Sequence, residues 1–277
     1  ENVIILMVGP LTGTIASTMS RMANVTKSPQ TGTMSDSFSG GYFPAELKFA
    51  GFDGIIVSGR SPKPVYLSVK DGLGELRDAS HLWGKGAFET TDMIVRESGG
   101  DPNRYHDGPK VGCVGPAGEN KVLYAAINYD KHHFAGRGGT GAVMGSKNLK
   151  AICVRGTKQT KALSINSEPA FLEMMREVTK KNVRENPDHE MSMKEGTPGI
   201  VNLAQGGGLL PTRNFQSGVF EHAEKINSSA MADTLLVKHM TTCFSCSIGC
   251  RNVTKVRDGQ YAGLEGEGPE YETLALC

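Results

Sequence analysis

The chain has 277 residues, of which 38% are hydrophobic, so it is long enough for one large domain or two ordinary domains with their own cores. Its 30 Lys and Arg residues nearly balance its 29 Asp and Glu residues, and this balance gives no electrostatic reason to expect a nucleic acid or a membrane surface as a partner. The longest apolar runs, such as Val3 to Val8, are too short to cross a bilayer, so no membrane-spanning segment is expected.

The first predicted element is a strand over Val3 to Val8, and no basic segment or signal-peptide cleavage pattern precedes it. The last predicted element is a helix over Tyr271 to Cys277, inside which the sequence stops. Because the sequence starts at Glu1 without a methionine and stops within an element, we expect it to be part of a longer polypeptide.

Short apolar runs bounded by glycine or aspartate follow one another through the first 160 residues, a pattern typical of strands. Further strands are predicted over Gly54 to Gly59, Pro64 to Gly72, Val122 to Ile127 and Leu149 to Gly156. A helix is predicted over Ala87 to Glu97, because Gly99 and Gly100 end its pattern. We therefore predict an α+β fold whose first domain, residues 1–158, is a glycine-rich mixed or antiparallel sheet domain.

The composition changes after a polar, lysine-rich segment at Gly156 to Leu163, where we place the boundary between two domains. Ser167 is a suitable helix N-cap, with Pro169 in the first turn and apolar residues at helical spacing after it. Another helix is predicted over Ser228 to His239. The second domain, residues 159–277, is therefore predicted to be mainly helical.

Three of the six cysteines, Cys243, Cys246 and Cys250, follow the spacing C-x₂-C-x₃-C. A tight loop of this kind can present several thiolates to a [4Fe-4S] cluster, and Gly249 permits the turn. Zinc is the alternative, but it favours paired C-x₂-C arms or a Cys–His set, and no second pair follows here. Cys277 is a candidate for the fourth ligand by count, but its helix-like, apolar setting also suits a core residue, so the fourth position stays open.

The isolated cysteines Cys113 and Cys153 lie in apolar, strand-like segments, where we predict them to be small buried hydrophobic residues. So few cysteines in a chain of this size do not indicate a disulfide framework. We therefore expect a reducing compartment, the cytoplasm.

Gly136 to Gly141 matches the pattern G-x-G-x-x-G of dinucleotide-binding proteins. A dinucleotide site needs a full helix after the motif and an acidic residue about 20 positions on. Only Ala142 to Asn148 separates the motif from the next strand, and Gln159 to Leu163 contains no acid. The motif is therefore weak support for a nicotinamide site.

Glycine loops also let backbone amides approach an anion closely, and Ser39-Gly40-Gly41 is a second loop of this type. Arg21 and Arg137 are candidates for bidentate contacts to a phosphate or a polar heterocycle. An ordinary surface ion pair is the alternative for each arginine. Two such loops and a cysteine cluster in one chain favour a cofactor site over three unrelated features.

Longer motifs extend over nearly the whole chain. They are Val8 to Thr14, Val25 to Pro29, Ser39 to Phe43, Glu46 to Asp53, Gly115 to Asn120, Gly141 to Lys150 and Glu267 to Glu272. Together with the cysteine loop, these motifs resemble the aldehyde ferredoxin oxidoreductase family. The resemblance implies a two-layered amino-terminal domain that cradles a tungstopterin (or molybdopterin), followed by helical domains.

The resemblance also implies roles for residues of the two glycine loops. Arg21 and Ser39-Gly40-Gly41 would contact one pterin, and Gly136 and Arg137 would contact the same cofactor from the other loop. The chain departs from the family's pattern at Lys131 to Ala135, which replaces a segment that often carries an arginine, so His133 is expected to take over that pterin contact. Phe38 and Pro44 are further departures, where asparagine and glycine are common.

By the same resemblance, Cys243, Cys246 and Cys250 are three of the four ligands of a [4Fe-4S] cluster, and the fourth lies downstream of Cys277. Glu272 falls where the family has a glutamate near the metal. A buried carboxyl there would have a raised pKa suited to carrying a proton. The alternative for Glu272 is a first-turn carboxylate that only stabilises its helix.

The implied activity is oxidation of an aldehyde with water to a carboxylic acid, with ferredoxin as electron acceptor. One alternative is a reductive member, such as the tungsten subunit of an aromatic acyl-CoA reductase. Another is a non-catalytic electron-transfer or zinc-binding module in which the glycine loops are only turns. The sequence leaves open the aldehyde, the choice of tungsten or molybdenum, and the oligomeric state, a homo-oligomer included.

Overall fold

The computed structural model describes residues 2–104, 108–157 and 168–276. The chain divides into two compact units: unit 1 is Glu1–Phe171 with Cys243–Ser245, and unit 2 is Leu172–Thr242 with Cys246–Cys277. The domain boundary predicted at residues 158 and 159 lies outside the described residues, as do the predicted N-cap Ser167 and Cys277. Within the described ranges, no helix is long and apolar enough to cross a membrane.

Unit 1 begins with four antiparallel strands and one helix. These elements are β1 (Ile4–Val8), β2 (Met22–Lys27), β3 (Met34–Ser39), α1 (Phe43–Phe49) and β4 (Gly54–Val57). The strands form a sheet in the order β3-β2-β1-β4. Because side chains alternate along a strand, Ile4, Leu6 and Met22 enter the core from one face of this sheet, and Met7 and Ile56 are exposed on the other.

The rest of unit 1 is built on a six-stranded mixed sheet. Its elements are β5 (Val65–Lys70), β6 (Leu73–Asp78), α2 (Ala87–Glu97), β7 (Lys110–Cys113), α3 (Pro116–Glu119), β8 (Ile127–Tyr129), β9 (His133–Ala135), α4 (Thr140–Ser146) and β10 (Leu149–Arg155). The strand order is β6-β5-β10-β7-β8-β9, in which β5 and β10 are parallel and all other neighbours antiparallel. A short 3₁₀ turn, Ser80–Leu82, precedes α2.

The main core of unit 1 forms where α1 and α4 pack between the two sheets. A second core lies on the other face of the six-stranded sheet, against Ile94 and Val95 of α2. Cys113 and Cys153 lie in this second core, and their predicted burial is confirmed. Burial raises the pKa of both thiols to about 11, so neither is poised to act as a thiolate ligand.

The later part of the chain combines short helices with a three-stranded antiparallel sheet of order β11-β12-β13. Its elements are α5 (Glu168–Val178), a π-helical segment (Thr179–Arg184), α6 (Glu190–Lys194), α7 (Ile200–Gly206), α8 (Ser228–Thr234), β11 (Leu235–Thr241), β12 (Arg251–Val256), β13 (Glu265–Glu267) and α9 (Tyr271–Leu276). Short 3₁₀ turns are Pro187–His189, Thr197–Gly199 and Ala223–Lys225. A small core around Val201 of α7 and Leu210 packs against Leu274 of α9.

The predicted α+β class is confirmed, but two predicted elements are wrong. The helix predicted over Ser228 to His239 ends at Thr234, because the backbone of β11 pairs with β12 instead of continuing the helix. The strand predicted over Val122 to Ile127 begins only at Ile127, because the preceding residues turn after α3, where the amide of Ala125 donates to the carbonyl of Val122. Helix α2 has the predicted bounds.

Candidate functional site

The loop Ser39-Gly40-Gly41 joins the end of β3 to α1 and forms the centre of the candidate site. Ser39 is 2% exposed, and its Oγ has no hydrogen-bond partner in the part of the chain that the structure describes. The carbonyl of Gly41 accepts hydrogen bonds from Ser20 Oγ at 2.8 Å and from the amide of Phe244 at 3.2 Å. Since buried hydroxyl groups are normally hydrogen-bonded, Ser39 marks a position where a polar ligand atom would fit.

His133 and Cys243 occupy the space beside the two glycines of this loop. A Cβ on Gly40 would lie 3.0 Å from Cys243 Sγ, and a Cβ on Gly41 would lie 2.7 Å from His133 Nδ1. Cys243 Sγ itself lies 3.5 Å from His133 Nε2. The structure therefore brings together three residues predicted to contact a pterin, Gly40, Gly41 and His133, and one predicted to bind iron, Cys243, all within unit 1.

The second glycine loop, Gly136 to Gly139, lies against the inner face of β3. The amide of Arg137 donates to Ser37 Oγ at 3.1 Å, and a Cβ on Gly138 would overlap the hydroxyl of Ser35. Ser37 is two residues before Ser39 on the same face, a separation of about 7 Å along a strand. Strand β3 therefore contacts the loop Gly136 to Gly139 and ends at the loop Ser39-Gly40-Gly41.

The two predicted arginines are exposed, and within the described ranges neither forms a salt bridge. Arg21 follows Ser20, whose hydroxyl contacts Gly41, and Arg137 follows Gly136. Apart from its chain neighbours, no described atom lies within 4 Å of a Cβ built on Gly136, so this side of the loop is open. These features fit a phosphate-bearing pterin: the backbone at Gly136 is open, the guanidinium groups of Arg21 and Arg137 are exposed, and the hydroxyl of Ser39 is unsatisfied.

The predicted cluster ligands divide between the two units: Cys243 belongs to unit 1, and Cys246 and Cys250 belong to unit 2. Ser245 and Gly249 have left-handed φ angles of 53° and 65°, which bend the cysteine segment sharply. Three thiols on a strongly bent segment are a donor set that suits an iron–sulfur cluster. No three His, Cys, Asp or Glu side chains of the described residues are grouped closely enough to hold a metal ion, so convergence of the three sulfurs stays a prediction.

Thr197 connects the third cysteine to helix α9 within unit 2. Its amide donates to the carbonyl of Cys250 at 3.2 Å. Its Oγ1 donates to Glu270 Oε2 at 2.5 Å and accepts from the amide of Tyr271 at 3.0 Å. The backbone of Cys250 is therefore tied to the start of the helix that carries Glu272.

Glu272 lies in the first turn of α9, and its side chain is exposed. The burial expected for a proton-carrying carboxyl is not found at this residue, because its side chain lies on the solvent side of the helix. The half-buried carboxyl of this segment is Glu270, whose pKa is raised by burial, although the bond from Thr197 opposes the shift. Its place in the same motif, two residues before Glu272, was the only signal for it in the sequence.

A buried charged cluster beside α1 has no counterpart among the predicted residues. Asp130 is buried and its Oδ1 accepts from the amide of Val111 at 2.8 Å, while Lys110 Nζ lies 5.8 Å from the centroid of the Tyr42 ring. Burial raises the pKa of Asp130 to about 7. No sequence pattern predicted this cluster, because an isolated acid between two strands is most simply interpreted as a surface turn residue.

Comparison with protein families covers almost the whole chain. Residues 1–156 match the family model described as aldehyde ferredoxin oxidoreductase, N-terminal domain, and residues 173–277 match the one described as aldehyde ferredoxin oxidoreductase, domains 2 and 3. This chain belongs to the aldehyde ferredoxin oxidoreductase family. The resemblance drawn from the sequence motifs is therefore confirmed.

Among curated members of the aldehyde ferredoxin oxidoreductase family, the chain is 48% identical over 275 residues to the tungsten-containing aldehyde ferredoxin oxidoreductase of Thermococcus kodakarensis. It is 46% identical over 275 residues to the tungsten-containing aldehyde ferredoxin oxidoreductase of Pyrococcus furiosus. Each alignment covers 99% of this chain and 43% of the relative, so the chain spans less than half of the length of these proteins.

More distant relatives have other named activities. The WOR-like subunit of an aliphatic sulfonate oxidoreductase from Pyrococcus furiosus is 30% identical over 281 residues, which cover 99% of this chain and 44% of that protein. A solved structure of the active-site complex of benzoyl coenzyme A reductase with 1,5-dienoyl-CoA matches with a TM-score of 0.74 and 33% identity. That match covers 96% of this chain and 40% of the solved chain.

Proposed function

We propose that this chain is the cofactor-binding part of an enzyme that oxidises an aldehyde with water to a carboxylic acid and passes the electrons to ferredoxin. The observation that carries the proposal is the meeting of Ser39-Gly40-Gly41, His133 and Cys243, which supports a pterin loop and a cluster ligand lying side by side. The 46–48% identity to tungsten-containing aldehyde enzymes supports the aldehyde as substrate class.

In this proposal, residues 1–158 bind a tungstopterin (or molybdopterin) and residues 159–277 begin a helical iron–sulfur domain. Arg21 and Arg137 would pair with anionic or polar groups of the cofactor, and Ser39 Oγ would hydrogen-bond to it. The open backbone at Gly136 would allow close approach. Three ligands of a [4Fe-4S] cluster would come from the cysteine segment, Cys243 to Cys250.

The reaction converts RCHO and H₂O into RCOOH, two protons and two electrons. When bound, the dithiolene-held metal supplies two-electron chemistry at the aldehyde carbon and the cluster supplies one-electron transfer to ferredoxin. The chain must then orient the cofactors and move the protons. We assign proton transfer to Glu272, and Glu270, whose pKa is raised by burial, is the neighbouring carboxyl on the same segment.

The first experiment is the metal content of the full-length protein purified without oxygen. Tungsten or molybdenum together with iron is the expected result, and zinc alone would refute the proposal in favour of a non-catalytic module whose glycine loops are only turns. Cys246→Ser should abolish the optical and EPR signals of the cluster. Cys153→Ser, a change in the buried core of unit 1, is the matched control and should keep both signals.

A second candidate is a reductive enzyme acting on an aromatic acyl-CoA, favoured by the similarity to the benzoyl coenzyme A reductase complex. Two assays with viologen dye separate the candidates in the full-length protein. Aldehyde-dependent reduction of oxidised viologen supports the first, and acyl-CoA-dependent oxidation of reduced viologen supports the second. Replacing the dye by ferredoxin then tests the proposed electron acceptor.

A further inference from the structure

We propose that His133 donates a hydrogen bond from Nε2 to the sulfur of Cys243 and thereby raises the reduction potential of the iron–sulfur cluster. The proposal rests on the proposed function, since it requires that Cys243 binds the cluster. It gives His133 a role at the cluster rather than the pterin contact that the resemblance implied.

The two atoms lie at hydrogen-bonding distance for a sulfur acceptor. Cys243 Sγ is 3.5 Å from His133 Nε2, and both side chains are half-buried. Sulfur is larger than oxygen, so hydrogen bonds to it are longer than the 2.7–3.2 Å that is usual for N–H···O bonds. Partial burial removes competing water and strengthens the interaction.

The imidazole is held in place by the tight turn between β8 and β9. Asp130 and Lys131 have left-handed φ angles of 50° and 71°, and the amide of Lys131 donates to Asn128 Oδ1 at 3.1 Å. His133 then pairs with Tyr129 in the strand register. The backbone of this turn therefore fixes the position from which the ring projects.

The sulfur is held from the other side by the glycine loop. The amide of Phe244, the residue after Cys243, donates to the carbonyl of Gly41. The ring of Phe244 packs edge-on against the ring of Phe49, with centroids 5.5 Å apart. Because Gly40 and Gly41 lack Cβ atoms, the sulfur and the imidazole both fit against the loop. Each partner is thus positioned by contacts that do not depend on the other.

The chemistry of the two groups fixes the direction of the bond. A cysteine that binds iron is a thiolate and can only accept a hydrogen bond, so Nε2 of His133 must carry the hydrogen. One-electron reduction, by a chemical reductant or by the aldehyde during turnover, adds a negative charge to the cluster. A donor at a ligand sulfur stabilises that added charge, so the reduced form is favoured.

The test is an EPR-monitored redox titration of the full-length protein purified without oxygen. His133→Phe keeps a planar ring and removes the donor, and His133→Gln keeps an N–H group. We expect H133F to lower the equilibrium constant for cluster reduction at least tenfold, about 59 mV for a one-electron couple, and H133Q to stay within threefold of the wild type. His132→Phe is the control, because the neighbouring His132 ring lies against Phe88, with centroids 6.2 Å apart.

Each outcome decides the proposal. Loss of iron from H133F alone, with iron kept by H133Q, would also support a role for the donor. An unchanged potential in H133F would overturn the proposal, and so would loss of iron from both variants, since ring packing would then be what matters. A wild-type protein without iron would instead refute the proposed function itself, so the two failures are distinguishable.

Discussion

Gly41→Ala tests the packing at the candidate site with a single added methyl group. Gly41 has a φ of 92°, which costs a residue with a Cβ about 1–2 kcal/mol. The new Cβ would also lie 2.7 Å from His133 Nδ1 and 2.9 Å from Cε1, so the ring must move. Overpacking of this kind costs about 1–3 kcal/mol. We therefore expect a loss of about 2–5 kcal/mol in the free energy of unfolding, the sum of these two effects.

The matched control is Gly136→Ala, in the other glycine loop. A Cβ on Gly136 meets no described atom within 4 Å beyond its chain neighbours, and its φ is not left-handed, so the change should stay within about 0.5 kcal/mol. The measurement is the denaturant midpoint of the first unfolding transition of the full-length protein, with iron content recorded in parallel. Equal midpoints for the two variants would refute the packing argument.

Three further predictions concern the framework of unit 1 and α9. Lys150→Met removes the ammonium group that lies 2.5 Å from the carboxylate of Glu119, whose side chain is 5% exposed. The variant should lose about 3–5 kcal/mol in the free energy of unfolding, measured by denaturation, and the double variant with Glu119→Leu should recover most of that loss. Burial raises the pKa of Asp130 from 3.8 to about 7. Between these two pH values the folded protein keeps a proton that the unfolded chain releases, so the free energy of unfolding falls as the pH rises from about 4 to about 7. Asp130→Asn should flatten that dependence by up to about 1.4 kcal/mol per pH unit in urea titrations, and an unchanged slope would contradict the assignment. Thr197→Val removes two hydrogen bonds at Glu270 and α9 and should speed loss of iron to a chelator, whereas Thr197→Ser should behave as the wild type.

Sequence patterns predicted the elements that local chemistry determines. Helix α2 has the predicted bounds because Gly99, with a φ of 79°, follows its last turn and ends the apolar periodicity. The burial of Cys113 and Cys153 followed from their apolar neighbours on either side. In both cases the deciding information lies within a few residues of the element.

The features that the patterns missed depend on pairing between distant segments. The helix predicted over Ser228 to His239 gives way to β11 at Leu235, because β12 offers a partner strand that helical periodicity cannot reveal. His133 and Cys243 are 110 residues apart in the chain, and only the turn after β8 and the fold of unit 1 bring them together. The motifs identified each residue as a candidate but gave no indication that they touch.

Strand β3 has a consequence for how this family can diverge. Its inner residues Ser35, Ser37 and Ser39 serve the glycine loops, while Asp36 and Phe38 point outward. Substitutions on the outer side of the strand can therefore change its surface without disturbing the serine side chains that contact the glycine loops. Among relatives, we expect positions 35, 37 and 39 to stay small, whereas positions 36 and 38 can hold larger or charged residues.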